Sequence, residues 1–119
     1  MDTSKIRKND VPYVNEVVGY LQARNLSVEI AGSVLKGNRK YNDIDLLVRG
    51  GVTDLANATS GLMGLDVRTE PFPKKSADGL EYTVTHAGGP TKYLNNQIDE
   101  RFNITVGNTK IDVCLKVNK

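Results

Sequence analysis

Residues 31–48 read AGSVLKGNRKYNDIDLLV, a small-residue turn and three basic residues followed by two aspartates at the front of an apolar run. Side chains alternate between the faces of a strand, so Asp43 and Asp45 are predicted to project to one face and Ile44 to the other. Two like charges on one face repel each other. A divalent cation such as Mg²⁺, held by oxygen ligands, relieves that repulsion. An exposed strand edge with two solvated acids is the alternative interpretation.

Composition limits the class of protein. The chain has 119 residues, which suits a single domain spanning 1–119. Its 16 Lys and Arg against 14 Asp and Glu give a net charge of +2, too mild for a dedicated nucleic-acid binder. The single cysteine, Cys114, excludes an internal disulfide and a Cys-based zinc site. Neither a signal peptide nor a membrane-spanning run is recognisable, so we expect a soluble, cytoplasmic protein without a membrane partner.

The hydrophobic pattern predicts an α+β (mixed α/β) fold with a single mixed sheet flanked by helices. Helical periodicity and strand alternation place the elements in the order α-β-turn-β-α-β-β-β-β. The first helix has Pro12 in its first turn and Asp10 or Asn9 as its cap. Residues 71–80, PFPKKSADGL, are predicted to form a mobile loop. The predicted helices are 11–25, 52–64 and, less clearly, 91–100; the predicted strands are 26–33, 43–49, 64–70, 81–86, 101–106 and 109–117.

The C-terminal hairpin supplies a third acid. Gly107 and Asn108 are typical of a two-residue turn, which sets Asn103 opposite Asp112. Asp112 then lies on the face opposite Ile111. It is either an aspartate on a wet sheet face or a member of a three-acid set with the Asp-x-Asp pair, and three carboxylates are enough to hold two metal ions.

The turn before the acids is suited to phosphate. A glycine just past a strand lets backbone N–H groups approach an anion closely, and Ser33 adds a hydroxyl donor to Gly32. Lys36, Arg39 and Lys40 follow and are placed to steer a polyphosphate. Each of these features on its own is also common in solvated loops.

Together, AGS at 31–33, NDIDLLV at 42–48 and KIDVCLKV at 110–117 resemble the DNA polymerase β-like nucleotidyltransferase superfamily. The chain is most similar to the minimal nucleotidyltransferase group, and the resemblance covers about residues 11–117. It implies a nucleotidyltransferase fold and an enzyme that transfers a nucleoside monophosphate from an NTP to an acceptor hydroxyl, releasing pyrophosphate.

The resemblance also implies residue roles. Asp43 and Asp45 would ligate both of two Mg²⁺ ions, and Asp112 would ligate the catalytic ion and orient or deprotonate the acceptor. Gly32 and Ser33 would hold the β- and γ-phosphates of the NTP. Lys36 and Arg39 complete the expected nucleotide-binding residues.

Two departures from the family pattern bear on function. Asn42 stands where many relatives have serine, and Lys36 where arginine is common. The chain also ends soon after the third acid, without the helical domain of larger relatives. We therefore expect acceptor recognition from residues 71–100, a homodimer or a helical partner protein. The alternative function is a weakly active or inactive binding protein that acts through such a partner, as an antitoxin of a toxin–antitoxin system or as a regulator.

Overall fold

The structure is a computed structural model, and it describes residues 2–34, 36–37, 40–64, 71–87 and 100–118. Within those ranges it contains two α-helices and five strands in one sheet. In chain order the elements are α1 (Val11–Gln22), β1 (Ser27–Ala31), a 3₁₀ turn (Gly32–Val34), β2 (Ile44–Gly50), α2 (Val52–Leu62), β3 (Tyr82–His86), β4 (Glu100–Val106) and β5 (Thr109–Val117).

The sheet is mixed, in the order β1-β2-β5-β4-β3. Strands β2 and β5 run parallel, and the other neighbouring pairs are antiparallel. The predicted α+β class with one mixed sheet is confirmed. The hairpin register is also confirmed, because Asn103 pairs with Asp112 and Ile104 with Ile111.

One face of the sheet carries the hydrophobic core. Alternate residues of β2, β4 and β5 on this face are fully or almost fully buried, and they form one cluster with the apolar sides of α1 and α2. The predicted helical stripe of Val14, Val17, Val18 and Leu21 is buried in that cluster. Both helices therefore pack on the same face of the sheet.

The opposite face of the sheet is mostly polar, and in the described residues no helix packs against it. The strand registers assign to it the residues Glu29, Asp45, Leu47, Arg49, Thr83, Thr85, Arg101, Asn103, Thr105, Lys110, Asp112, Cys114 and Lys116. We call this the open face. Leu47 is buried there without belonging to the core cluster.

The start of α1 differs from the prediction in one respect. Pro12 lies in the first turn and Asp10 at the N-cap position, but the Asp10 side chain makes no capping hydrogen bond. It accepts hydrogen bonds from Tyr41 (2.5 Å), Thr109 (2.7 Å) and Arg7 (3.0 Å) instead. Asp10 thus ties the N-terminal segment to the loop before β2 and to the hairpin.

Residues 71–80, predicted as a mobile loop, contact helix α1 in the structure. Phe72 is buried, the amide of Ala77 donates to Glu16 of α1 at 3.0 Å, and Tyr13 donates to Asp78 at 2.5 Å. Glu16 also accepts a hydrogen bond from Tyr82. The sequence pattern could not show this, because the anchoring side chains come from a helix about sixty residues earlier.

Two sequence predictions cannot be compared with the structure. Residues 65–70 of the predicted strand 64–70 and residues 91–99 of the predicted helix 91–100 lie outside the described residues. No helix among the residues that are described has the length and apolar character to cross a membrane.

Candidate functional site

Two of the predicted acids are neighbours on the open face. Asp45 and Asp112 are register partners across the parallel pair β2–β5. Asp43 immediately precedes β2, and it lines the same cleft as Asp112. The sheet thus brings together three acids that lie in two separate segments of the chain.

The acids are electrostatically coupled. Burial, the charge of Asp112 and a hydrogen bond with Asp112 raise the pKa of Asp45 to about 6, with a further contribution from Asp43. Burial and the charge of Asp43 also raise the pKa of Asp112, although Arg101 opposes the shift. Only 7% of Asp112 is exposed, and an acid buried to this extent is usually paired with a group that fully balances its charge. The site therefore concentrates negative charge that solvent screens poorly.

Arg101 is the partly compensating cation, and the sequence analysis did not identify it. Its guanidinium lies 3.5 Å from the Asp112 carboxylate. Its Nε atom is buried and has no hydrogen-bond partner among the described residues, and the same is true of Oδ1 of Asn103. The hairpin register, which set Asn103 opposite Asp112, could also have revealed Arg101, because it places Arg101 on the same face.

The glycine turn contacts the acids directly. Gly32 has a φ of +74°, and a Cβ atom built on it would overlap Oδ2 of Asp45. A side chain is thus excluded both by the backbone conformation and by lack of space. Ser33 follows in the 3₁₀ turn, but its side chain lies outside the described part of the structure.

The predicted basic residues are not shown to join the acids. Lys36 lies exposed in a turn, and none of the ion pairs of the described residues links it to an acid. Arg39 lies outside the described residues. Of the predicted nucleotide-binding residues, Gly32 is the one that the structure shows against an acid, Asp45.

A cleft of about 320 Å³ opens beside the acids. Its lining comes from the loop before β2 and from strands β4 and β5. The lining residues are Asp43, Arg101, Asn103, Ile104, Thr105, Lys110, Ile111 and Asp112. Because Ile104 and Ile111 are fully buried in the core, the accessible walls are polar.

The donor set fits Mg²⁺ in chemistry. Carboxylate oxygens are the ligands this hard cation prefers, and a divalent ion would offset the charge that raises the pKa of Asp45. Across the ranges that the structure describes, no three His, Cys, Asp or Glu side chains are arranged as a ready-made metal site. Asp43, Asp45 and Asp112 would hold the ions by rearranging their side chains.

Comparisons with protein-family models, with curated proteins and with solved structures found no match to this chain. The resemblance to nucleotidyltransferases therefore depends on the quoted motifs alone. The structure shows in addition that Asp45 lies next to both Asp112 and Gly32, although the three residues belong to three different elements.

Proposed function

We propose that the chain is a Mg²⁺-dependent nucleotidyltransferase that moves a nucleoside monophosphate from an NTP to an acceptor hydroxyl. One observation carries the proposal: Asp45 and Asp112 pair on an open sheet face, with Asp43 beside the same cleft and the Gly32 turn against Asp45. Charge concentrated in this way is unfavourable for folding and is typical of functional sites.

In this proposal the chain supplies positioning and proton transfer. Asp43, Asp45 and Asp112 would hold two Mg²⁺ ions, and such ions would supply neutralisation of phosphate charge and a lower pKa for the attacking hydroxyl. The backbone N–H groups after Gly32 and the hydroxyl of Ser33 bind the terminal phosphates, with Lys36 and Arg39 as further cationic contacts.

The bond changes balance without any other cofactor. The acceptor hydroxyl gives its proton to the Asp112 carboxylate, and its oxygen forms a bond to the α-phosphorus. The bond from the α-phosphorus to the bridging oxygen breaks, and pyrophosphate leaves with the electron pair. Holding the reactants in line accounts for much of the acceleration in such a reaction.

Thermal unfolding with Mg²⁺ and each NTP tests the nucleotide site. At a hundredfold excess over its dissociation constant a ligand stabilises the folded state by about 2.7 kcal/mol, roughly 10 °C for a domain of this size. The shift should require Mg²⁺ and should be absent in the Asp43→Asn/Asp45→Asn double variant. Glu29→Gln, at an exposed position on the same face, is the control that should retain it.

A transfer assay then tests the reaction itself. Labelled NTP is incubated with candidate acceptors, and release of pyrophosphate should equal nucleotide incorporated. The absence of a Mg²⁺-dependent shift with every NTP would contradict the proposal and favour the alternative of a binding protein that acts through a partner. A stable complex that survives the double substitution would identify that case.

A further inference from the structure

The cleft beside the acids contains more polar groups than the proposed nucleotide chemistry uses. Besides Asp43 and Asp112 its walls include Arg101, Asn103 and Lys110. Lys110 is exposed, and the Nε atom of Arg101 and Oδ1 of Asn103 are buried without partners among the described residues. Those two atoms are closed to a ligand, so the remaining polar atoms of Arg101 and Asn103, together with the Lys110 ammonium, are the groups that a ligand in the cleft can contact.

The spacing of these groups follows from the hairpin. Asn103 and Asp112 are directly opposite each other in the antiparallel pair β4–β5, where facing Cβ atoms are about 5 Å apart. The Asp112 carboxylate and the Asn103 amide group at that separation can each form a hydrogen bond with one of two neighbouring hydroxyls. Lys110 lies two residues before Asp112 on the same face, a rise of roughly 6.8 Å along the strand. It is therefore placed to reach an anionic group on the same small molecule.

The polar lining of the cleft disfavours an acceptor with an aromatic ring. Among the described residues no aromatic side chain lines the cleft, and its two apolar residues, Ile104 and Ile111, are buried in the core. A tyrosine ring would find no apolar surface to pack against. A ligand made of hydroxyls and phosphate would satisfy the donors and acceptors that are present.

We infer that this cleft is the acceptor site and that it binds a phosphorylated sugar through two neighbouring hydroxyls and the phosphate. One hydroxyl lies at Asp112, the adjacent one forms a hydrogen bond with the side-chain amide of Asn103, and the phosphate is bound by Lys110. The inference rests on the proposed function for the identity of the hydroxyl that reacts. The binding site itself can be tested without any transfer reaction.

Binding of ribose 5-phosphate, followed by amide chemical shifts in the presence of Mg²⁺ and without NTP, is the test. Saturable shifts at residues 103, 105, 110 and 112 are expected. 2-Deoxyribose 5-phosphate, which lacks one of the neighbouring hydroxyls, should bind about tenfold more weakly. N-acetyltyrosinamide represents a protein hydroxyl acceptor, and saturable binding by it in preference to ribose 5-phosphate would overturn the inference.

Matched variants assign the contacts. Lys110→Gln should weaken ribose 5-phosphate binding roughly tenfold, whereas Lys116→Gln, on the same face but outside the cleft, should leave it unchanged. Asn103→Ala should remove the preference for ribose over deoxyribose. If Asn103→Ala fails to fold, the comparison of Lys110→Gln with Lys116→Gln still tests the binding site. Equal affinities of these two variants for ribose 5-phosphate would overturn the inference.

Two further comparisons identify the source of the sugar phosphate and distinguish the acceptor-site inference from the proposed nucleotidyltransferase function. AMP and the 3′ end of a short oligoribonucleotide present the same diol and phosphate. The one that binds more tightly therefore tells whether the site takes a free nucleotide or an RNA 3′ end. A Mg²⁺-dependent NTP shift without ribose 5-phosphate binding would overturn the acceptor site and leave the proposed function standing. Ribose 5-phosphate binding without any NTP shift would support the site and contradict the nucleotidyltransferase.

Discussion

Gly32 lies against the carboxylate of Asp45, so close that a Cβ atom on Gly32 would overlap Oδ2 of that acid. Gly32→Ala should therefore destabilise the protein through both the positive φ and the overlap. The φ alone costs about 1–2 kcal/mol, and the overlap adds to that. The midpoint of urea unfolding measures the total, and the Mg²⁺–NTP shift should be lost in the same variant.

Gly79→Ala is the matched control for this substitution. Its φ is +86°, but a Cβ there meets nothing within 4 Å, so it reports backbone strain alone. The difference between the two variants isolates the contact with Asp45. Equal destabilisation, with nucleotide binding intact in both, would mean that the Gly32–Asp45 contact has no role in the site.

Asp45→Asn should stabilise the metal-free protein at pH 8. The substitution removes the charge that Asp112 and Asp43 repel in a partly buried position. An increase of a few degrees in the unfolding temperature, measured in EDTA, is expected. Glu81→Gln makes the same change of charge at an exposed position and should have little effect. A loss of stability in Asp45→Asn would show that the repulsion is already relieved within the chain.

The same repulsion gives a pH dependence. Because the pKa of Asp45 is raised from 3.8 to about 6, the folded state binds this proton more tightly than the unfolded chain. The stability from that protonated carboxyl is complete below pH 3.8 and is lost as pH rises through 6. The advantage of Asp45→Asn over wild type in urea should therefore grow between pH 4.5 and pH 8, and an advantage independent of pH would contradict the assignment.

Tyr41→Phe should destabilise the protein by about 1–3 kcal/mol, because the hydroxyl donates to the buried Asp10 and accepts the Arg7 amide at 2.9 Å. Tyr41 also lies two residues before Asp43, so Mg²⁺ affinity should fall as well. Tyr13→Phe is the control: it removes a hydroxyl that bonds to the exposed Asp78 and should cost less. Urea unfolding and Mg²⁺ titration distinguish the two effects.

The Asp10 cluster should also weaken in acid. Burial alone would raise the pKa of Asp10, but the hydrogen bonds from Tyr41, Thr109 and Arg7 outweigh it and hold that pKa below its usual value. Its contribution is present above the unfolded value of 3.8 and is lost as pH falls toward the folded one. The cost of Tyr41→Phe should accordingly be smaller at pH 2.5 than at pH 7.

Glu16→Ala should weaken the contact of residues 71–80 with α1, although the Tyr13–Asp78 hydrogen bond remains. Glu16 accepts from the Ala77 amide and the Tyr82 hydroxyl, so its removal leaves the Ala77 amide without this partner. Hydrogen exchange at Ala77 should become faster, while exchange in β5 stays protected. Glu81→Ala serves as the comparison, and unchanged exchange at Ala77 would show that Phe72, the Tyr13–Asp78 hydrogen bond and the loop's own backbone bonds hold the segment.

The C-terminal hairpin shows which structural features the sequence could predict. Gly107-Asn108 and the alternation on either side predicted the pairing of Asn103 with Asp112, and the structure confirms it. The same register would have placed Arg101 beside Asp112. Asp10 lies at the predicted N-cap position, but its side chain makes no capping hydrogen bond, because hydroxyls of Tyr41 and Thr109 and the guanidinium of nearby Arg7 donate to its carboxylate instead.

For the part of the chain that the structure describes, the sequence by itself determined both helices, the five strands, the hairpin register and the faces of the hairpin residues, because these depend on local periodicity and turn chemistry. Only the tertiary structure decided that β5 lies parallel to β2, which makes Asp45 and Asp112 partners, and that Gly32 contacts Asp45. Those contacts join segments separated by many residues. Strand order depends on burying one shared apolar face, and local patterns in the chain do not encode that choice.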